Sequence, residues 1–179
     1  MQGRLVTTVN RLLGVALLAW AFSALPATSA VEPPSPDNMY LDDLQGRWIM
    51  QGTFHGKPVT YAAIGQRVLD GAWLRLHMVA LGKPLRYEAD VFFGYDAKAH
   101  DFIVHWLDQF GAPGARVVAT GRRDGDELVF TFPYTEGPFR DTLRRHKTTG
   151  RWTLLLESQG KDGSWSTFAN FKFTRSTKN

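Results

Sequence analysis

The sequence predicts an all-β protein: an antiparallel meander of about ten strands that closes into a barrel, preceded by a signal peptide. Three observations carry that prediction. Turn signals recur with a regular beat, roughly every 13 residues, from residue 55 to residue 163. The runs between them are rich in Val, Phe, Trp, Tyr and Thr, which fit a pleated surface. After Gly46 no segment sustains a helical period.

The first thirty residues stand apart. Arg4 and Arg11 form a positive start, LLGVALLAWAF at 12–22 is an apolar core, and Pro26 with ATSA leads to a small-residue cleavage point after Ala30. The apolar core is short for a membrane span, so a cleaved secretory signal is the reading, with an uncleaved anchor as its alternative. The chain has no cysteine, which excludes a lipoprotein signal and a disulfide framework alike. The expected location is a periplasm or the medium, with no stable membrane span after cleavage.

Removing residues 1–30 from the 179 leaves 149, the size of one domain with a real core. Two of the 21 basic residues leave with that segment, so 19 face 17 acids and the net charge falls to +2. That balance does not mark a nucleic-acid binder, and RRHK at 144–147 reads as a solvated strand face.

Residues 31–40, beginning VEPPSPDN, read as a proline-rich leader, and MYLDDLQG at 39–46 has room for a single helical turn. The barrel domain is placed at 41–175 and a polar tail at 176–179. Turns are expected at HGKP 55–58, LDG 69–71, LGKP 81–84, YDAKAH 95–100 and FGAPG 110–114. They continue at RRDGDE 122–127, TEGP 135–138, TTG 148–150 and GKDG 160–163.

Alternation assigns the faces. Leu74, Leu76, Met78 and Ala80 oppose Arg75 and His77. In the next run Leu85, Tyr87, Ala89, Val91, Phe93 and Tyr95 oppose Arg86, Glu88 and Asp90. Matching apolar faces across LGKP sets Met78 beside Tyr87, His77 beside Glu88 and Arg75 beside Asp90. These charge pairs lie on the outer face.

The stretch FFGYDAKAHDFIVHWLDQFGAPG at 92–114 holds two histidines and three aspartates, which raises the question of a catalytic or metal site. Parity answers most of it. His100 and His105 point to opposite faces, and Asp101 and His105 stand roughly 13 Å apart along an extended strand. No short same-face spacing of the kind zinc needs is present. Asp96 is expected to cap the turn. Phe102, Val104, Trp106 and Asp108 pair with Tyr95, Phe93, Val91 and Ala89 on the inner face, so Asp108 is an interior carboxylate, either solvated or paired with a buried arginine.

Gly46-Arg47-Trp48 opens the first strand and Arg175 ends the last. Together they resemble the signature of the calycins, the superfamily of lipocalins and fatty-acid-binding proteins. That resemblance implies that Gly46, Trp48 and Arg175 close the barrel base, with the arginine packed over the indole. LDDLQGRW, RVLDGAWL, YEADVFFGYD, HWLD, the later KDG and FKFTR resemble, in order, a family of uncharacterised bacterial lipocalin-like domains. The likeness implies a calycin-type barrel and supplies no activity. Ala72-Trp73 departs from that family's usual Arg-Phe-type pair, and residues 139–147 are unusually basic. The haem-carrying barrels called nitrobindins also open with G-x-W but use a late histidine; nothing after His146 can serve here, so no cofactor is expected.

The function expected from these readings is non-catalytic binding of a small apolar or amphipathic ligand. Trp48, Tyr87, Phe93, Trp106, Phe130, Trp152 and Phe171 line the inner face, and whether they fill it or leave a hollow stays open. Candidate ligand contacts are Tyr87, Trp106, Asp108 and Phe130. Arg140 or Arg144 would clamp a ligand carboxylate unless both point outward. An alternative is an enzyme working through Asp108 with Tyr87 or Tyr134, although no nucleophile elbow, HExxH or phosphate loop is present. A third is a protein-interaction barrel using Ile103, Leu107 and Phe168 as an outer patch. The export reading predicts a mature chain that begins at Val31. Intact-mass measurement of the protein recovered outside the cytoplasm checks it, and a mass that retains residues 1–30 refutes cleavage.

Overall fold

The computed structural model describes residues 35–82 and 86–177. The signal-peptide segment, residues 31–34 of the leader, the turn residues 83–85 and the last two residues of the tail lie outside the described residues. Ten strands follow one another: β1 (Gly46–Phe54), β2 (Lys57–Val68), β3 (Trp73–Ala80), β4 (Glu88–Asp96), β5 (Asp101–Asp108), β6 (Val118–Asp124), β7 (Glu127–Phe132), β8 (Phe139–His146), β9 (Arg151–Gln159) and β10 (Trp165–Arg175). Each pairs antiparallel with its sequence neighbours, and β10 returns to pair with β1. The predicted meander barrel is therefore the observed one, and closure removes the free edges that an open sheet would expose.

The two ends of the barrel differ. The end carrying the β2–β3, β4–β5, β6–β7 and β8–β9 turns is packed solid. Trp48, Trp152, Phe93, Phe102, Phe130 and Phe173 are all fully buried. Over it lies a plug made of a short helix, α1 (Pro36–Tyr40), and a 3₁₀ turn over Leu41–Leu44. Ser35 caps α1 by accepting from Asn38 N at 3.1 Å, with Pro36 at its first turn. Tyr40, Leu41 and Leu44 are buried, so the folded unit begins earlier than residue 41. The leader's last residue is core because the helix turns Tyr40 into the barrel base. There its hydroxyl donates to the carbonyls of Asp126 (2.9 Å) and Leu143 (3.1 Å). Burial raises the Tyr40 phenol well above its ordinary pKa, against the opposing pull of Arg145.

Closure of the base rests on Arg175. Register pairs it with Trp48, and its guanidinium sits 3.8 Å from the indole ring. Its two terminal nitrogens donate to the carbonyls of Gln45 and Asp43, and Trp48 Nε1 donates to the Leu44 carbonyl at 2.8 Å. The last strand thus grips the 3₁₀ turn while the first strand's indole holds it from below. Gly46 is required here: its φ is +109°, and a Cβ would collide with Arg175 Nη1.

The sequence register of the β4–β5 hairpin is observed without change, from Tyr95 with Phe102 to Ala89 with Asp108. Asp96 accepts from Lys98 N and Ala99 N, as a turn-capping aspartate should. Gly94 faces Trp73 across β3–β4, and the indole lies so close that a Cβ would press into it. Trp73 therefore covers the glycine of the FFGYD run.

The β3–β4 register differs from expectation by two residues. Met78 faces Ala89 and His77 faces Asp90, while Arg75 faces Phe92. A two-residue slip preserves both faces, so the inner and outer assignments survive it. Tyr87 then lies just before β4, where its carbonyl accepts from Ala80 N at 2.8 Å. Arg75 still reaches Asp90 diagonally with two bonds of 2.6 and 2.9 Å, and His77 Nδ1 lies 2.9 Å from the same carboxylate. Burial alone would raise the Asp90 carboxyl, but the bonds from Arg75 and His77 outweigh it and hold it below its usual range. Of the RRHK run, Arg144 meets Glu127 on the outside and Lys147 meets Asp126 at 3.0 Å. Arg145 departs from the expected solvated face: it shares the inner parity of Asp141 and Leu143, sits opposite Trp152, and lies against the Tyr40 ring with Asp43 as its partner.

Arg175→Ala is expected to lower stability by about 1–3 kcal/mol, through the lost cation–π contact and two charge-assisted hydrogen bonds. Arg175→Lys should recover little of that, because an ammonium cannot stack on the ring and fork to two carbonyls at once. Urea denaturation measures both, and a lysine variant as stable as the native chain would remove the role given to the guanidinium.

Candidate functional site

The other end of the barrel is hollow. A cavity of about 380 Å³ opens among the β1–β2, β3–β4, β5–β6 and β7–β8 connections, and among the described residues ten of the sixteen that line it are aromatic. The sequence allowed a filled or a hollow barrel, and each holds for one half of the molecule. Large rings in the base exclude solvent there. Toward the mouth, the small side chain of Ala169 and the flexible Met78 leave room.

Three of the candidate contacts come together at this mouth. Trp106 Nε1 donates to the Tyr87 hydroxyl at 2.9 Å, and that hydroxyl donates to Asp108 Oδ2 at 3.2 Å. The other Asp108 oxygen accepts from Phe110 N at 3.0 Å. The carboxylate is therefore neither free in water nor paired with a buried arginine, as the sequence had offered. It anchors a chain of three side chains and starts the β5–β6 loop. Burial raises the Tyr87 phenol well above its ordinary pKa. The hydroxyl stays protonated, which keeps the donor direction of the chain fixed.

Two candidates do not reach the cavity. Phe130 shares the inner parity but lies deeper, packed at 5.9 Å from both Phe93 and Phe132, and belongs to the solid half. Arg140 points outward because Phe139, Asp141 and Leu143 take the inner positions of β8. It pairs with Glu157 at 2.7 Å and stacks 4.1 Å from the Trp165 ring. Arg144 is outward as well, so no carboxylate clamp exists at that strand. Phe168, expected on the outside, turns to the cavity rim. The ladder between β9 and β10 slips at Thr167/Ala169, and this β-bulge rotates Phe168 onto Phe54 and Phe139, both at 5.0 Å. His146 lies near the plugged end with Thr153, away from the cavity lining.

The residue that the sequence reading passed over is Asp141. It is 1% exposed, lies between Phe130 of β7 and Leu156 of β9, and lines the cavity. Neither of its oxygens has a hydrogen-bond partner among the described residues. Burial pushes its carboxyl well above the ordinary aspartate range, and no neighbouring cation opposes that shift. An unmatched buried polar group costs about 1–3 kcal/mol. The signal that would have found it is parity: Phe139 and Leu143 face inward, so the residue between them must as well.

No protein-family model and no curated protein matches this chain.

The geometry therefore defines the site by itself. It is an aromatic-walled cavity with a carboxylate fixed at the rim and a neutral carboxylic acid inside. Among the described residues, no group of three or more His, Asp or Glu converges as a metal set would.

The Asp141 shift has a sign that can be tested. The folded chain keeps a proton that the unfolded chain releases, so this group weakens stability as pH rises from its unfolded value toward its folded one. Asp141→Asn should therefore gain on the native protein as pH rises from about 4 towards neutrality, with the gap smallest at the acid end. Urea midpoints across that range check it; a gap that stays constant with pH would contradict a buried, neutral Asp141.

Proposed function

We propose that this barrel is a binding protein that holds one small apolar or amphipathic molecule in its open half. The observation that carries the reading is the cavity itself: about 380 Å³, lined mainly by rings and carrying few polar groups. Ligand sites of about 300–1,000 Å³ with a handful of placed polar groups are the usual form of small-molecule pockets. The rigid ten-strand wall supports the same reading, since a closed sheet can keep such a hollow without collapse. Catalysis through Asp108 has less support, because both carboxylate oxygens hold the loop and Tyr87 in place. An outer interaction patch is also weakened, since Phe168 packs at the cavity rim.

We further propose that the chain acts outside the cytoplasm, on the strength of the leader pattern at residues 1–30, and that it is related to the lipocalin-like domains its motifs resemble.

The test is titration with N-phenyl-1-naphthylamine, a weakly basic apolar fluorophore. One saturable site with a dissociation constant on the order of micromolar is expected, as for an apolar ligand of this size. Ala169→Phe places a ring inside the cavity and should weaken binding by about tenfold or more. Absent binding, or binding indifferent to Ala169→Phe, overturns the reading.

A further inference from the structure

We propose that the ligand is an amine, an apolar or aromatic molecule with one basic nitrogen that is held against Asp141. This rests on the binding reading above and specifies its chemistry.

Two independent features of the cavity lead there. Asp141 is a fully buried acid at the cavity wall, and the protein supplies no partner to either oxygen among the described residues. A group of this kind is complemented by a ligand that brings donors, and an ammonium brings up to three on one atom. The charge inventory points the same way. Among the described residues, the two acids at the lining are Asp108 and Asp141, and the one cation is Arg86, on the exposed rim. Arg140 and Arg144 spend their charge outside on Glu157 and Glu127. Among the described residues, an anionic headgroup drawn into this hollow would meet carboxyl groups, with Arg86 at the exposed rim as the cation of the lining. An ammonium would meet a carboxyl and ring faces, notably the stacked Phe132 and Tyr134, and π-faces attract cations.

The proton count is simple. Asp141 is neutral in the empty site, because burial disfavours its charge. When an alkylammonium enters, Asp141 releases its proton to solvent and forms an N⁺–H···O⁻ pair, so one proton leaves for each ligand bound and no covalent bond to carbon changes. The titratable groups facing Asp141 are few. Strands β7 and β9 present Phe130, Phe132, Leu154 and Leu156, which do not titrate. Across the cavity stand Tyr61, Tyr87, Tyr134 and Asp108, with Arg86 at the rim. The three phenols are raised by burial and remain protonated, so Asp141 is the group that yields the proton.

Calorimetric titration of the full chain with 1-naphthylmethylamine, 1-naphthylmethanol and 1-naphthoic acid tests the proposal with three ligands of one shape. The amine is expected to bind at least about tenfold more tightly than the alcohol, with the acid weakest. Repeating the amine titration in buffers of different ionisation heat should show close to one proton released per site. Asp141→Asn should remove the amine's advantage and leave the alcohol within about threefold; Asp141→Leu serves as a second variant, with thermal melts reporting that each is folded. Equal affinity for amine and alcohol in the native chain, or an amine preference that survives both variants, overturns the amine assignment while leaving ligand binding intact. Failure of all three compounds to bind overturns the binding reading and this proposal with it. Should neither variant fold, the native amine-to-alcohol ratio and the proton count decide alone.

Discussion

The structure depends on one contact more than any other, the stack of Arg175 on Trp48 where the last strand meets the first. A meander of ten strands has two raw edges until that pairing forms, and each edge would expose unpaired backbone groups. Arg175 does more than complete the ladder. By donating to the carbonyls of Asp43 and Gln45 it fixes the turn that covers the barrel base. Trp48 fills the space beneath and bonds Leu44. Tyr40 then enters beside Trp152, with Arg123 and Arg145 near its ring. Strand closure, plug and base packing form one assembly.

The solid base permits the hollow mouth. Apolar burial contributes roughly 25 cal/mol per Å², and large, fully buried rings such as Trp48, Trp152, Phe93, Phe102 and Phe173 lie in the lower half. With stability concentrated there, the upper half tolerates an unfilled volume and an unmatched carboxyl that would be costly defects in a uniformly packed core. The mouth is kept in shape by other means. The Trp106–Tyr87–Asp108 chain braces one side and the Phe168 bulge the other. Both are local devices that set side-chain direction without adding strands.

Most of the fold was legible because β-structure writes itself in period two. Parity identified the inner face of β4 and β5 residue by residue, and turn residues marked every connection between strands. What parity cannot see is a shift by an even number of residues, which is how the β3–β4 register moved by two without altering either face. It also fails where the period is interrupted, and the bulge beside Phe168 is such a place. Of the candidate site, Tyr87, Trp106 and Asp108 were found because an acid among aromatics on an inner face stands out. Phe130 was placed too high because parity gives the face and not the depth. Asp141 was missed for a chemical reason. In FRDTLRRH charged residues outnumber apolar ones, so the whole strand reads as solvated, although Phe139 and Leu143 fix its inner side.

Closure of the sheet by its first and last strands also sets a timetable. Trp48 has no Arg175, Met50 no Phe173 and Gly52 no Phe171 until β10 has been made. Nearly the whole barrel sequence separates these partners, and such distant pairings form slowly because the loop they close is entropically expensive. A nascent chain carrying β1 to β9 would own a plug that Arg175 does not yet hold and a sheet with two sticky margins. The barrel becomes a barrel only after its final strand arrives, so its synthesis ends with an interval in which the chain is complete but still open. During that interval it is fit to be threaded, chaperoned or lost to aggregation.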